Sequence, residues 1–311
     1  MTLRLQQELS KHNPARPTLL TIGVFDGVHR GHRYLLEQLT ARAKQEGCLS
    51  GVVTFKTHPE KVLKRRDYLP WICTLQERIR LLKAAGVDVV VPITFTRDIA
   101  NLPAREFVML LRNNLNMCGL VLGPDFALGK QRLGTPENLR KIGEELGFRV
   151  EVVKPAKLGS DIISSSAIRQ LLAEGQIDKV EKMLGRHFHL EGKVVVGDQR
   201  GRTLGFPTAN IKVQPEQAMP KDGIYVTVTH AQGKQLRSVT NIGVRPTFDG
   251  LKHLIETYIM DFDGNLYGKK LRIDLIVRLR DEMKFKNVQE LISQMKLDVE
   301  KAEKTLIQKG Y

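Results

Sequence analysis

His29 and His32 stand three positions apart in Thr21-Ile-Gly-Val-Phe-Asp-Gly-Val-His-Arg-Gly-His32, where an apolar run turns into a helical pattern. Leu19, Leu20, Ile22 and Val24 read as a strand buried on both faces, and Asp26-Gly27 marks a turn. Leu35, Leu36, Leu39 and Ala43 then recur at helical spacing as far as Gly47. If the first helical turn holds both histidines, their spacing puts the imidazoles on one face. Unpaired N–H groups and the helix dipole already favour an anion at that terminus, and two imidazole donors beside it suit a polyphosphate. Two readings compete: surface histidines, or half of a metal site. The metal reading lacks a third ligand at suitable spacing, since Asp26 alone is a poor one.

Other stretches carry chemistry of the same kind. In Ile162-Ile-Ser-Ser-Ser-Ala-Ile-Arg169 a serine can cap a helix over 167–173, and Arg169 lies one turn on, within reach of the anion such a cap attracts. Read alone, this is a capped helix with a surface arginine. Gly123-Pro-Asp-Phe-Ala-Leu-Gly129 is a glycine loop with one acid after a strand, and His58-Pro59 follows another strand.

In Gly197-Asp-Gln-Arg-Gly-Arg-Thr-Leu-Gly-Phe-Pro-Thr-Ala-Asn210 the glycines let backbone N–H groups approach phosphates, although no Walker ending follows. A glycine-rich hairpin is the alternative. Thr208 and Asn210 are two apart, so in an extended chain both oxygens face one side, which suits Mg²⁺. Alternation along a strand over 254–262 puts Glu256 on a face with Leu254, Tyr258, Met260 and Phe262. A carboxylate there is costly unless paired or used. Either a salt bridge to Arg272 or Arg278, or a catalytic base, accounts for it.

The elements that position these residues fall into two sets. Strands at 51–55, 87–93, 119–123 and 148–153 alternate with helices at 75–85, 103–115 and 135–146, which implies a mostly parallel sheet covered on both faces. Ligands bind beyond the carboxyl ends of such strands, where His29, His32, His58 and Asp125 all fall. The alternation stops near Leu184-Gly185. Strand-like runs at 192–196, 224–229, 238–243, 254–262 and 271–279, separated by turn signals, suggest a small antiparallel barrel. A closing helix over 288–306 carries Val288, Leu291, Ile292, Met295 and Val299 as an apolar stripe, read as core packing. The expected fold is therefore an α/β Rossmann-like domain, 1–184, followed by a β-barrel domain with a C-terminal helix, 185–311.

With 311 residues, 41% hydrophobic and 27% charged, the chain can build two cores. No run of about 18 apolar residues occurs, so no membrane partner is expected. Residues 1–17 are polar and basic, without the apolar centre of a signal peptide. Cys48, Cys73 and Cys118 form no C-x-x-C pair, which points to a reducing cytoplasm. A net charge of +15 suits nucleic acid or small anionic substrates equally. Little aromatic interleaving and no RNA-binding motif argue against a nucleic-acid-binding protein.

Taken together, these motifs resemble the bacterial bifunctional riboflavin kinase/FAD synthetase (FMN adenylyltransferase) family over nearly the whole chain. Gly23-x-Phe25-Asp26-Gly-x-His29-x-Gly-His32 is similar to the signature of nucleotidyltransferases, which implies that this stretch binds ATP and that the two histidines hold its phosphates and stabilise charge at the α-phosphorus. Ser164-Ser165-x-x-x-Arg169 matches the segment that grips the terminal phosphates. Thr54-Phe-Lys-Thr-His58-Pro59, with Asp125 and Phe126, resembles the flavin side of FAD synthetase. Gly201-Arg-Thr-Leu-Gly-Phe-Pro-Thr-Ala-Asn210 is closely similar to the riboflavin kinase signature, which implies ATP phosphates at Gly197, Arg202, Gly205, Pro207 and Thr208. Glu256-Thr-Tyr258 matches the segment whose glutamate deprotonates the riboflavin 5′-hydroxyl. Asn241-Ile-Gly-Val-Arg-Pro-Thr-Phe248 and Arg278-Leu-Arg280 complete the match, the last near bound flavin or nucleotide. The resemblance implies a cytoplasmic enzyme using ATP and Mg²⁺, with riboflavin, FMN and FAD as substrates or products. Its partners would be small molecules, with no specific nucleic acid, and homo-oligomerisation is left open. A pantetheine- or nicotinamide-type adenylyltransferase is the rival enzyme, and the kinase signature argues against it.

Overall fold

The computed structural model describes residues 3–63, 69–158, 161–197, 200–247 and 250–311, with backbone alone at 157, 158, 161, 200, 202, 245–247 and 250–252. It divides into two compact units, Met1–Ser165 and Ser166–Tyr311.

The first unit is built on parallel strands β1 (Thr18–Ile22), β2 (Leu49–Phe55), β3 (Val89–Ile93), β4 (Met117–Leu122) and β5 (Arg149–Val152), in the order β3-β2-β1-β4-β5. Every residue of β1 is buried, as a strand covered on both faces requires. Alternation along β1 sorts its side chains to two cores. Leu20 and Ile22 join Val53 and the apolar faces of α1 (Leu3–Ser10), α4 (Ala104–Leu115) and α5 (Pro136–Leu146). Leu19 joins Val52 and the faces of α2 (Arg30–Gln45) and α3 (Leu75–Ala84). The chain leaves β1 for one side of the sheet and comes back beside it as β4, so the crevice between β1 and β4 opens where their carboxyl ends diverge. Residues 1–17 gave no helical expectation, yet α1 forms there. Leu5 and Leu9, one turn apart, are buried and anchor it, and Glu8 between them accepts Thr94 N at 2.7 Å and Lys56 Nζ at 2.8 Å.

The second unit opens with α6 (Ser165–Glu174), whose first residue ends the other unit, and α7 (Ile177–Leu184). A closed barrel follows: β6 (Phe188–Val195), β7 (Thr208–Val213), β8 (Gly223–Ala231), β9 (Lys234–Thr247), β10 (Gly250–Ile259) and β11 (Lys270–Arg280), ordered β8-β9-β10-β7-β6-β11. Thr208 and Asn210, expected to lie in an extended chain, begin the segment 208–213. It is a full strand, and its pairing with β10 and β6 fills the gap that barrel closure needs.

Inside the barrel, Thr227, Thr229, Ser238, Thr240 and Thr257 are fully buried and bond one another. Their hydroxyls run Thr229–Ser238–Thr227–Thr240–Thr257 at 2.8–3.0 Å. The opposite face of β8, Val226 and Val228, packs with Ile276 on Ala302 and Leu306 of α8 (Val288–Gln308). This corrects the expectation that the whole stripe of that helix is core. Val288 is exposed and Leu291, Ile292 and Met295 are only part-buried, because the packed turns lie further along the helix.

Replacing Thr240 with valine keeps the side-chain shape but takes the ladder partner from Thr257 and leaves Thr227 only its bond to Ser238. The barrel is expected to lose about 1–3 kcal/mol. Native-state amide exchange along β8 to β10 measures this, and unchanged protection would contradict a cooperative hydroxyl ladder.

Candidate active sites

In the first unit the site begins where β1 ends. Gly23 N donates to Val53 O at 3.0 Å, which carries the ladder one residue past the strand. Phe25 (φ 52°) and Val28 (φ 37°) then take left-handed conformations that side chains disfavour, and both are buried. The Asp26 carboxylate, itself 1% exposed, accepts Ile72 N at 3.0 Å and Cys73 N at 3.3 Å. Its role in the site is thus to hold the turn.

That turn delivers His29 as the N-cap of α2, where its Nδ1 accepts His32 N at 3.2 Å. Because Nδ1 accepts, the neutral ring carries its proton on Nε2. The rings of His29 and His32 stack 3.6 Å apart at 15°, and Phe25 closes the other side of His32 at 5.0 Å. The i, i+3 expectation is met in a tighter form, since His29 caps the helix instead of belonging to it. Burial, then the neighbouring His29 and Arg78, hold the His32 imidazole well below its ordinary range, so it is neutral at pH 7. Its Nδ1 is buried without a partner.

The serine segment meets this turn directly. Ser165 Oγ donates to Asp26 O at 3.0 Å, and a Cβ on Gly31 would sit 3.1 Å from Ile163 O. Glycine at position 31 therefore lets the chain at 163–165 lie against the start of α2. Ser164 is half-buried beside it, and Arg169 lies one turn along α6 from Ser165. The other expected residues lie on neighbouring loops. His58, buried, caps the short helix Pro59–Val62 by accepting Glu60 N, and its ring lies 5.1 Å from that of Trp71. Asp125 is exposed after β4, while Phe126 packs on the core under α1, α4 and α5.

Sequence reasoning passed over Trp71 and Arg78. Arg78 is 1% exposed and donates to Val24 O at 3.0 Å and Phe55 O at 2.9 Å, with its guanidinium 4.1 Å from the Trp71 ring centre. A signal existed: Arg78 interrupts the apolar stripe Leu75, Leu81, Leu82 of α3.

In the second unit the barrel's pairing assembles the site. Asn210 of β7 pairs with Glu256 of β10, which pairs in turn with Asn241 of β9, and Thr208 pairs with Tyr258. Thr208, Asn210, Asn241, Glu256 and Tyr258 all line a cavity of about 870 Å³, bounded across from the barrel by Leu291, Met295 and Val299 of α8. The upper half of that helix's stripe therefore faces a cavity, which explains its partial exposure. Leu254 shares this lining with Glu256, whereas Met260 lies past the end of β10 and packs in the core against α8.

A Cβ on Gly197 would lie 2.2 Å from Asn210 Nδ2, so only glycine lets the loop descend onto that amide. Gly201 closes the loop by accepting Phe206 N at 2.8 Å. Gly205 (φ 82°) turns the chain, and Pro207 is exposed just before β7. The Arg202 side chain, residues 198–199 and Phe248 lie outside the described residues.

Arg272 and Arg278, the conceivable salt-bridge partners of Glu256, bind Asp274 and Asp281 instead, at 2.8 and 2.6 Å. Arg280 lines the cavity and is fixed by Asp298, with Nη2–Oδ2 at 2.6 Å. Arg278 is not among the lining residues; it also donates to Asp222 O and lies against Gly175 and Gly223. Asn241 Oδ1 is buried without a partner.

Comparison with known proteins matches each unit separately. The family model of FAD synthetase matches residues 11–167, and that of riboflavin kinase matches 184–306. A bifunctional riboflavin kinase/FMN adenylyltransferase of Escherichia coli (strain K12) is 37% identical over 92% of this chain and 91% of its own. The protein of that name from Haemophilus influenzae is 36% identical over 91% and 92%. Among solved structures, a protein of Streptococcus pneumoniae described as a macrolide-efflux protein superposes with a TM-score of 0.86, at 32% identity, over 94% of this chain and 96% of that one. Among the described residues no helix is long and apolar enough to cross a membrane.

The neutral state of His32 has a consequence for stability. As pH falls through about 6.5, the unfolded chain takes up a proton that folded His32 refuses, so acid costs the first unit up to about 1.4 kcal/mol per pH unit. His32→Gln removes that loss. The stability difference between the variant and its parent is expected to move in the variant's favour between pH of about 7.5 and about 5.5. Urea unfolding followed by Trp71, the chain's one tryptophan, reads it. A difference independent of pH would contradict a neutral His32.

Proposed function

The chain belongs to the family of bifunctional riboflavin kinases/FMN adenylyltransferases, enzymes that phosphorylate riboflavin with ATP to FMN and adenylylate FMN with a second ATP to FAD, and we propose that its two sites divide these reactions between them. The observation that supports the division is that each half's motif folds into a site of its own: His29 and His32 stack at a helix N-terminus, and Glu256 faces a cavity beside Asn210. We assign 1–184 to the adenylyltransferase and 185–311 to the kinase.

In the adenylyltransferase reaction an oxygen of the FMN phosphate attacks the α-phosphorus of ATP and pyrophosphate leaves, so no protein nucleophile is needed. His29 donates from Nε2, and neutral His32 offers a second ring whose buried Nδ1 has no protein partner. Both sit where the N–H groups and dipole of α2 favour an anion. Donors fixed before the substrate arrives stabilise charge that develops on the phosphoryl oxygens. His58 with Pro59, and Asp125 with Phe126, are assigned to the flavin.

In the kinase reaction Glu256 accepts the proton of the riboflavin 5′-hydroxyl as that oxygen attacks the γ-phosphorus of ATP and ADP leaves. A cavity of about 870 Å³ is ample for the reactants' polar ends. Gly197, Gly201 and Gly205 carry the phosphate loop, and Arg280, locked by Asp298, supplies a fixed charge at the cavity wall. The donor set fits Mg²⁺: the Thr208 hydroxyl and the Asn210 amide are hard, neutral oxygens on the face of Glu256, and the Asn241 amide oxygen one strand away has an unmet lone pair. When bound, Mg²⁺ supplies neutralisation of phosphate charge.

We further infer that the charge of +15 serves these anionic substrates without a nucleic-acid partner. The free thiols Cys48, Cys73 and Cys118 support a reducing, cytoplasmic setting.

Reciprocal variants test the division. Glu256→Gln is expected to bind riboflavin and ATP yet form FMN about 10²–10⁴ times more slowly, while converting supplied FMN to FAD normally. The double variant His29→Ala, His32→Ala is expected to accumulate FMN and make no FAD. Chromatography of the flavins reads both. Wild-type phosphorylation by Glu256→Gln, or normal FAD synthesis by the double variant, would overturn the corresponding assignment.

A further inference from the structure

Arg78 is the bulkiest side chain among those less than 2% exposed, and neither reaction as described uses it. A guanidinium stays protonated in any protein environment, and burying a charge is strongly unfavourable unless an opposite charge meets it. Among the described residues no carboxylate pairs with Arg78. Its Nη1 donates to two backbone carbonyls, Val24 O and Phe55 O, and reaches Thr54 Oγ1 at 3.5 Å. Its Nε is buried and has no partner among the described residues. One face of the guanidinium is covered by Trp71 at 4.1 Å, a cation–π contact that eases the burial without neutralising it.

The carbonyls it joins belong to the two sides of the adenylyltransferase site. Val24 opens the turn that ends at His29, and Phe55 ends β2 three residues before His58. Trp71, under the guanidinium, is the ring against His58. A single buried cation therefore fixes the ATP-side turn to the flavin-side loop at the carboxyl edge of the sheet, where ligands of such folds bind.

We propose that Arg78 is a positioning residue for adenylyl transfer, locking the turn after β1 to the end of β2 and holding a positive charge whose counter-ion is the phosphate of the bound substrates. This rests on the assignment of FAD synthesis to the His29–His32 site. It explains why the chain keeps a charge in a core where leucine would pack: the unmet charge makes the site bind an anion more tightly than its surface donors alone could. Arg78 acts through the field and through the loops, without contact to the reacting atoms.

Two substitutions separate the charge from the hydrogen bonds. Arg78→Gln keeps an N–H donor for the carbonyls but loses the charge; Arg78→Lys keeps the charge. With the full chain and supplied FMN, Arg78→Gln is expected to raise the KM for ATP at least about tenfold and to weaken inhibition by inorganic pyrophosphate to a similar degree. Arg78→Lys is expected to stay within about threefold of the parent in both. Riboflavin phosphorylation by the same samples is expected to be unchanged, and Trp71 fluorescence reports whether the packing around position 78 survives. Should Arg78→Gln unfold the first unit, Arg78→Lys decides: a retained KM supports the proposal and a lost one overturns it. A parental KM and pyrophosphate inhibition in Arg78→Gln, or equal damage in both variants, would also overturn it. Failure of the site assignment itself shows separately, as FAD synthesis that survives loss of His29 and His32.

Discussion

The turn after β1 places a carboxylate, Asp26, in the protein interior, and an ionised carboxylate there must be fully bonded. Its oxygens accept Ile72 N and Cys73 N, while its own backbone carbonyl accepts Ser165 Oγ. Two segments far apart in sequence, 72–73 and Ser165, are thereby tied to Asp26, so the turn cannot relax without stranding its carboxylate. This constraint supports the left-handed Phe25 and Val28, which would otherwise escape to easier conformations. It also fixes the entry of α2, and with it the ring of His29 as cap and the stacked ring of His32.

On the proposed assignment the two sites meet the same chemical problem, a polyphosphate, with different backbone solutions. The first places stacked imidazoles at a helix N-terminus, where the dipole supplies partial positive charge. The second uses a barrel strand. Closure of the sheet through β11 and β8 fixes the register, and register alone sets Asn210 beside Glu256 and Thr208 beside Tyr258. A one-residue slip of β7 would turn Thr208 and Asn210 into the lumen, where the hydroxyls of Thr227, Thr240 and Thr257 already fill the space.

Much of this was legible from the sequence because the informative residues are locally constrained. The spacing of His29 and His32 against a glycine turn, and the alternation of strands with helices, follow from short-range geometry and survive in the fold. Thr208 and Asn210 share a face because an extended chain alternates, whether or not 208–213 is recognised as a strand. What remained hidden depends on long-range packing. Arg78 interrupts the apolar stripe of α3, but that spacing alone does not separate an arginine that turns inward from one that snorkels to solvent. The lumen threonines look like the solvent side of alternating strands until barrel closure buries them. The stripe of α8 revealed an amphipathic helix but not that its first turns face a cavity and its last turns the core. Glu256 was set between a salt bridge and a base. The structure removes the salt bridge to Arg272 or Arg278, since both hold aspartates.

One chain performs two phosphorus transfers of different kinds, γ-phosphoryl to riboflavin and adenylyl to FMN. Positionally labelled ATP tests it most directly. Purified protein given riboflavin, Mg²⁺ and ATP labelled at the γ-phosphorus is predicted to label both FMN and FAD. With label at the α-phosphorus, FAD alone is predicted to carry it. Label from the α-position in FMN, or FAD that lacks the γ-label, would contradict the account.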